Sequence, residues 1–158
     1  MKNKSDFEKA REYAFFLLKY RLRSVEELRF RLKNKKHSEA AIKNTVDFLI
    51  EKRFLDDAEF SRAWISSRLK RPYGLRRIKQ ELKLKGVDKK VIEDQVKDLS
   101  RGYSEAEIVS LIVEKRFEKL KGLEPVKARV RVYSYLIRRG FTPEIVVDTI
   151  NGLCKQTY

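Results

Sequence analysis

The sequence of 158 residues predicts an all-α protein, and three observations lead to that fold class. Apolar residues recur at helical spacing, as in Val46, Leu49 and Ile50. No stretch alternates between apolar and polar residues as a half-buried strand would. The six glycines and three prolines fall near the ends of the periodic segments, where they end or begin helices.

Each helix is placed by its periodicity and by the signals at its ends. Ser-x-x-Glu segments that begin at Ser5, Ser24 and Ser104 are capping boxes and start three helices. Pro125 and Pro143 stand at helix starts, where a missing N–H costs nothing. The nine predicted helices span 6–20, 24–35, 38–53, 57–70, 74–85, 88–99, 104–120, 125–139 and 142–153.

The nine helices form a threefold internal repeat. A shift of 50 residues places Leu28 on Ile78, and a further shift of 54 places Ile78 on Val132. The same shifts align other apolar positions and helix caps, and the second aligns Gly86 with Gly140. We therefore predict three tandem three-helix repeats, 1–55, 56–100 and 101–158. Because units of this size bury little surface alone and gain stability from neighbours, we expect an elongated, curved array.

The chain is strongly basic, with 38 Lys and Arg against 23 Asp and Glu, a net charge of +15. The excess is concentrated in residues 19–36, 68–90 and 127–139, the three middle helices and their approaches. This charge favours a polyanionic partner, nucleic acid before membrane. No apolar run is long enough to cross a membrane, and a single cysteine, Cys154, fits a reducing compartment. The first residues lack the uninterrupted apolar stretch of a secretory signal, so we expect none. We expect a cytoplasmic protein.

The basic faces of the middle helices are the candidate binding site, because lysine and arginine there could contact phosphates. Tyr73 lies between two basic clusters and is a candidate to stack on an unpaired base. We expect Trp64 and Tyr135 to be core residues. The alternative is a solvated face whose cations favour the helix C-termini. The candidate cations are Arg29, Lys33, Lys35, Lys36, Arg76, Arg77, Lys79, Lys83, Lys85, Arg129, Arg131, Arg138 and Arg139.

The sequence offers few of the residues and motifs that enzymes use for catalysis. The only histidine, His37, is predicted in a surface turn beside two lysines, and Cys154 has no partner cysteine for zinc. No glycine-rich nucleotide-binding loop occurs. The acidic pairs at 26–27 and 56–57 stand at helix starts, where capping explains them. We predict a binding protein with no catalytic residues, no metal and no cofactor.

Local phrases of the sequence resemble the RecX regulatory proteins over about 6–153. The most specific lie between Phe54 and Gly86, FLDDAEFSRAWISSRL and YGLRRIKQELKLKGVDKKVIE. YAFFLLKYRLRSVEELRFRLKNK is similar to the family's opening repeat, and LIRRGFTPEIVVDTI to its ending. Lys36 and His37 depart from the family, which commonly has a glycine-aromatic turn there, and this leaves the geometry of that turn open.

The resemblance implies three tandem three-helix repeats and a regulator, mainly negative, of the RecA recombinase. Such a protein would bind the filament of RecA on single-stranded DNA and limit ATP hydrolysis, strand exchange and coprotease activity in repair, recombination and the SOS response. It would be a monomer without a cofactor, and would bind duplex DNA more weakly. A stand-alone regulator that binds duplex DNA through a helix-turn-helix is the alternative. It would need amides or arginines aimed at base edges, and Gln80 is the only amide within the second middle helix.

Overall fold

The computed structural model describes residues 4–155, and within that range the chain forms nine α-helices and no strand. The predicted all-α class is confirmed, and each helix begins and ends within two residues of its predicted bounds. A short 3₁₀ turn at Ser100–Gly102 precedes the seventh helix. The helices are α1 Asp6–Tyr20, α2 Val25–Asn34, α3 Glu39–Glu51, α4 Asp57–Leu69, α5 Leu75–Leu84, α6 Lys89–Leu99, α7 Glu105–Lys119, α8 Pro125–Arg138 and α9 Pro143–Lys155.

The helix starts follow the predicted caps. Ser5 and Ser24 form complete capping boxes, in which the serine side chain accepts from the third helical N–H and the glutamate accepts from the serine N–H. Ser104 accepts from the backbone N–H of Glu107 at the start of α7. Each bond satisfies a backbone donor that a helix start otherwise leaves unpaired.

The threefold repeat is confirmed by burial. Aligned positions of the three repeats are all buried, with at most 6% of each residue exposed. Because the same positions of each three-helix unit supply the core, the offsets read from the sequence align equivalent residues. The aligned sets are Leu28, Ile78 and Val132; Leu32, Leu82 and Leu136; Ile42, Ile92 and Val146; and Val46, Val96 and Ile150.

All three middle helices end in the same left-handed turn. Gly86 and Gly140 take φ of 76° and 82°, and Lys36 takes 61° at the equivalent position. In each turn the residue after the left-handed one donates its N–H to a carbonyl five residues earlier, as His37 does to Leu32 over 3.3 Å. The first repeat therefore keeps the turn without glycine, although a side chain strains this conformation.

The chain packs as two compact units. The first consists of the residues through Trp64 together with Leu82–Gln95, and the second of Ile65–Glu81 together with the residues from Val96 onward. Buried Leu28, Leu32 and Leu49 lie in the core of the first unit, and Val132 and Phe141 in that of the second. The residues of the middle repeat are thus divided between the two units.

None of the helices within residues 4–155 is long and apolar enough to cross a membrane. The side chain of Cys154 lies outside the described part of the chain.

Candidate functional site

In the first unit, the turn after α5 packs on the start of α2. Ser24 is fully buried, and its hydroxyl donates to the backbone carbonyl of Lys85 over 2.6 Å while accepting from the Glu27 N–H over 3.1 Å. A Cβ on Gly86 would lie 2.5 Å from Cβ of Glu26. We call this contact, Ser24–Glu27 with Lys85–Gly86, the first junction.

Glu27 is the electrostatic centre of the first junction. Its carboxylate accepts from both terminal nitrogens of Arg21 at 3.1 Å and from Nζ of Lys85 at 2.8 Å. Partial burial opposes ionisation of Glu27, but the hydrogen bonds from Arg21 and Lys85 outweigh it and hold its pKa at about 2. Glu27 therefore stays ionised across the physiological pH range, and its single negative charge is shared by both cations.

Two further contacts link the residues of the first junction to α4. Nζ of Lys85 lies 4.3 Å from the centroid of the Trp64 ring, which stacks on Phe60. Asp57 accepts the backbone N–H of Val25 over 2.9 Å, and burial raises the pKa of this carboxyl. Lys85 thus contacts both the Glu27 carboxylate and the Trp64 ring, so its role within this unit is structural.

In the second unit, the turn after α8 packs on the start of α5. The N–H of Gly74 donates to the carbonyl of Arg139 over 2.9 Å. A Cβ on Gly74 would lie 2.2 Å from the Gly140 oxygen, and one on Gly140 would lie 2.5 Å from the Arg77 nitrogen. We call this contact, Tyr73–Arg77 with Arg139–Gly140, the second junction.

Tyr73 is surrounded by arginines in the second junction. Its ring is half-buried, and the guanidinium carbons of Arg77, Arg139 and Arg68 lie 4.2, 5.4 and 5.9 Å from its centroid. Glu81 accepts from Nε of Arg68 at 2.8 Å and from Nε of Arg77 at 3.1 Å. Glu81 therefore orients Arg68 and Arg77. The Tyr73 ring receives one arginine from each side of the junction, Arg77 and Arg139.

The structure divides the predicted site residues into two groups. Half-buried positions are Arg29, Tyr73, Arg77, Lys79, Lys85 and Arg139. Exposed positions are Lys33, Lys35, Lys36, Arg76, Lys83, Arg129, Arg131 and Arg138. Lys85, Arg77 and Arg139 contribute to the junctions, whereas the exposed cations face solvent.

Among the exposed cations, some have local partners and others do not. Lys33 lies 3.9 Å from a carboxylate oxygen of Glu39, and Nζ of Lys35 lies 5.3 Å from the Tyr13 ring centroid. Within residues 4–155, no ion pair is made by the other six, which are Lys36, Arg76, Lys83, Arg129, Arg131 and Arg138. These six side chains remain able to contact an anionic partner.

Three expectations about single residues need correction or refinement. His37 is not a freely exposed turn residue: its side chain is only 11% exposed, and Nδ1 lies 2.6 Å from Asp6. The hydrogen bond to His37, with two more from Ser38, lowers the pKa of Asp6 to about 2. The rings of Trp64 and Tyr135 are half-buried rather than fully in the core.

One member of each acidic pair caps a helix start. Asp56 accepts the backbone N–H groups of Ala58 and Glu59 at the start of α4, and Glu27 completes the Ser24 capping box. In the described part of the chain, no group of three or more His, Cys, Asp or Glu side chains is placed to hold a metal ion.

Three cations of α7 escaped the sequence analysis, Lys115, Arg116 and Lys119. Arg116 lies 3.5 Å from the Tyr135 ring centroid, and all three line a cavity beside α8. Their segment, EKRFEK, alternates cations with Glu114 and Glu118, so its net charge is small. The i, i+4 spacing of Lys115 and Lys119 was the signal that could have revealed this face.

Comparison with known families matches all three repeats. Profiles described as the first, second and third three-helix domains of RecX match residues 10–49, 56–94 and 103–150. The chain belongs to the RecX family of regulatory proteins.

Individual relatives agree with this assignment. The regulatory protein RecX of Mannheimia succiniciproducens is 30% identical over 148 residues, which cover 92% of this chain and 95% of the relative. That of Mycobacterium sp. (strain JLS) is 32% identical, with coverage of 90% and 80%. The crystal structure of RecX from Lactobacillus salivarius superposes with a TM-score of 0.81 at 22% identity, covering 94% of this chain and 96% of that one, and shows the shared fold.

Proposed function

We propose that this protein regulates the RecA recombinase, mainly negatively. It binds the filament of RecA on single-stranded DNA and limits ATP hydrolysis, strand exchange and coprotease activity in DNA repair, recombination and the SOS response. The observation that carries the proposal is the match of all three RecX domains in order along the chain. A relative called regulatory protein RecX is matched over 95% of its length, which extends this support to a whole protein.

The distribution of charge supports a polyanionic partner. The net charge is +15, and six of the predicted cations are exposed without an ion pair to the described residues. Each phosphate that a lysine or arginine neutralises releases counterions and makes binding salt-dependent. Contacts from several repeats to one filament would raise affinity without a single strong site.

In this proposal the protein acts by binding and has no catalytic activity of its own. It acts as a monomer in the cytoplasm. The three repeats, 1–55, 56–100 and 101–158, serve as successive binding modules, and single-stranded DNA is preferred to duplex DNA. Lysine and arginine side chains that contact phosphates set position rather than sequence, so one such protein would act on filaments of any sequence.

The test is DNA-dependent ATP hydrolysis by RecA on single-stranded DNA, with this protein titrated in from far below one molecule per RecA protomer. Binding to the same DNA without RecA is recorded at the same salt concentration. We expect hydrolysis to fall at substoichiometric protein, because action on a filament affects many protomers at once. Loss of hydrolysis only when the DNA is saturated would mean competition for DNA, and sequence-specific retardation of a duplex would favour the stand-alone regulator.

A further inference from the structure

A groove between α7 and α8 of the second unit combines an apolar floor with a cationic rim. One cavity there has a volume of about 440 Å³, within the range of small-ligand sites. Leu120, Val132 and Tyr135 supply apolar surface, and Arg116 and Arg138 stand among its cations. Arg131 and Ser134 complete the polar part of this lining.

A second cavity of about 280 Å³ adjoins the same pair of side chains. Arg116 and Tyr135 line both cavities, and Lys115 and Lys119 add two more cations to the second. Neither lining includes a carboxylate. We call the two cavities together the α7–α8 groove.

Two guanidinium groups lie close to the Tyr135 ring, one of them from the α7–α8 groove and the other beside it. The guanidinium carbons of Arg116 and Arg139 lie 3.5 and 4.7 Å from the Tyr135 centroid. Arg131 and Arg138 make no ion pair to any residue in the range 4–155. Cations gathered in this way repel one another, and an anion bound among them would relieve that repulsion.

We propose that the α7–α8 groove binds unpaired nucleotides of single-stranded DNA. The apolar floor takes a base beside the stacked Arg116 and Tyr135 side chains, and the rim arginines and lysines take the adjoining phosphates. Free phosphate would use the rim alone, and a duplex keeps its bases stacked and out of reach of the floor. The inference deepens the proposed function, on which it rests for the choice of a nucleic acid.

The test compares binding of three fluorescent oligonucleotides to the full chain by anisotropy. They are an oligothymidylate, an abasic strand with the same number of phosphates, and a duplex. Because each stacked base contributes roughly 1–3 kcal/mol, the wild-type protein should bind the oligothymidylate at least about fivefold more tightly than the abasic strand. Equal affinities for these two strands would overturn the proposal.

A pair of double variants tests the phosphate contacts of the groove. Arg116→Gln with Arg138→Gln removes contacts to phosphates that both strands carry, so both the oligothymidylate and the abasic strand should bind about tenfold more weakly. Lys121→Gln with Lys127→Gln removes the same charge in the same repeat, outside both cavity linings, and should weaken binding of either strand much less. Equal losses of affinity in the groove variant and in this control would contradict the assignment.

A further variant keeps the proposal testable if the arginine changes disturb folding. Ser134→Leu narrows the first cavity without adding a ring and retains every cation, so it should reduce the preference for thymidylate over the abasic strand. An unchanged preference in this variant would contradict the placement of the base in this cavity. Far-ultraviolet circular dichroism and urea denaturation check the fold of each variant. Tighter binding of polyglutamate than of oligothymidylate would instead indicate an acidic protein segment and would overturn the proposal.

RecA-dependent ATP hydrolysis, measured in parallel, separates this inference from the proposed function. If the wild-type protein lowers hydrolysis but does not prefer thymidylate, the groove assignment fails alone. If it leaves hydrolysis unchanged but shows a groove-dependent preference, the proposed RecA regulation fails and the groove assignment stands.

Discussion

The two junctions share one backbone plan and differ in their side chains. In each, the carbonyl of the residue after a middle helix, Lys85 or Arg139, accepts a hydrogen bond at the start of the preceding repeat's middle helix. The first junction uses the Ser24 hydroxyl and the carboxylate of Glu27. The second uses a backbone N–H and arginines that lie over Tyr73. Equivalent cations therefore have different partners, and a basic residue on a middle helix is not by itself evidence of a ligand site.

Replacement of the glycine in each turn by alanine should give the largest effects on stability, and the loss should differ between the two junctions. Gly140→Ala adds a Cβ 2.5 Å from the Arg77 backbone nitrogen at φ +82°, so we expect a loss of about 3 kcal/mol in the free energy of unfolding. Gly86→Ala meets side-chain carbons of Glu26 instead and should cost about 2 kcal/mol. Urea denaturation measures both.

Gly122→Ala is the control for the glycine variants. Gly122 has φ +91° but nothing within 4 Å of the added Cβ, so conformational strain alone should cost about 1 kcal/mol. Equal losses at residues 122 and 140 would show that the close approach in the second junction contributes nothing.

Glu27→Gln should weaken the first junction in a pH-dependent way. Its carboxylate accepts charged hydrogen bonds from Arg21 and Lys85, so the variant should lose about 2 kcal/mol of unfolding free energy at pH 7. Because folding lowers the pKa of Glu27 to about 2, its contribution is present above about pH 4.5 and is lost as pH falls towards 2.

Unfolding free energies of wild type and Glu27→Gln, measured by urea between pH 7 and pH 2, check this prediction. Their difference should shrink at the acid end. Glu26→Gln, at a carboxylate that is 57% exposed, should change stability by less than about 0.5 kcal/mol. A difference between wild type and Glu27→Gln that stays constant with pH would exclude the ion pairs as its cause.

Lys36→Gly should give the smallest effect, and a gain. Lys36 holds φ of 61° where the other two turns have glycine, so glycine would relieve strain. The greater freedom of glycine in the unfolded chain offsets part of this, and we expect a net gain of about 0.5 kcal/mol. Lys36→Ala removes the same charge but keeps the strain, so a gain in both variants would assign the effect to charge instead.

The sequence was sufficient to predict the helices, the repeat and the positions of Gly86 and Gly140 at helix ends. These depend on local spacing and caps, which neighbouring residues in the chain determine. The sequence did not separate Arg76 from Arg77, although one is exposed and the other lies on Tyr73. Gly140, which is distant from Arg77 in the chain, packs against Arg77, and no local pattern encodes that contact.

The cations of α7 were not predicted for the same reason. Arg116 of α7 contacts Tyr135 of α8, which is distant in the sequence, and the net charge of its own segment is too small to mark a basic face. Tyr73 shows the converse, since its basic neighbours in sequence suggested a ring open to bases. In the structure Arg68, Arg77 and Arg139 lie over the ring, and stacking by Tyr73 stays a prediction.

The division of the basic residues into junction and ligand-facing groups is tested by Arg76→Gln combined with Lys83→Gln. Both side chains are exposed and without ion pairs within residues 4–155, so helicity and the urea midpoint should be unchanged. The control is Lys89→Gln with Lys90→Gln, an equal loss of charge at the exposed start of α6.

Affinity for RecA filaments on single-stranded DNA, measured against salt concentration, is the decisive observation. We expect the Arg76 and Lys83 variant to bind about tenfold more weakly, with a salt slope shallower by about 1.4, because each single-strand phosphate contact contributes about 0.7. The control should match the wild type. Unchanged affinity and slope in the Arg76 and Lys83 variant would contradict the assignment of the exposed middle-helix cations to phosphate binding.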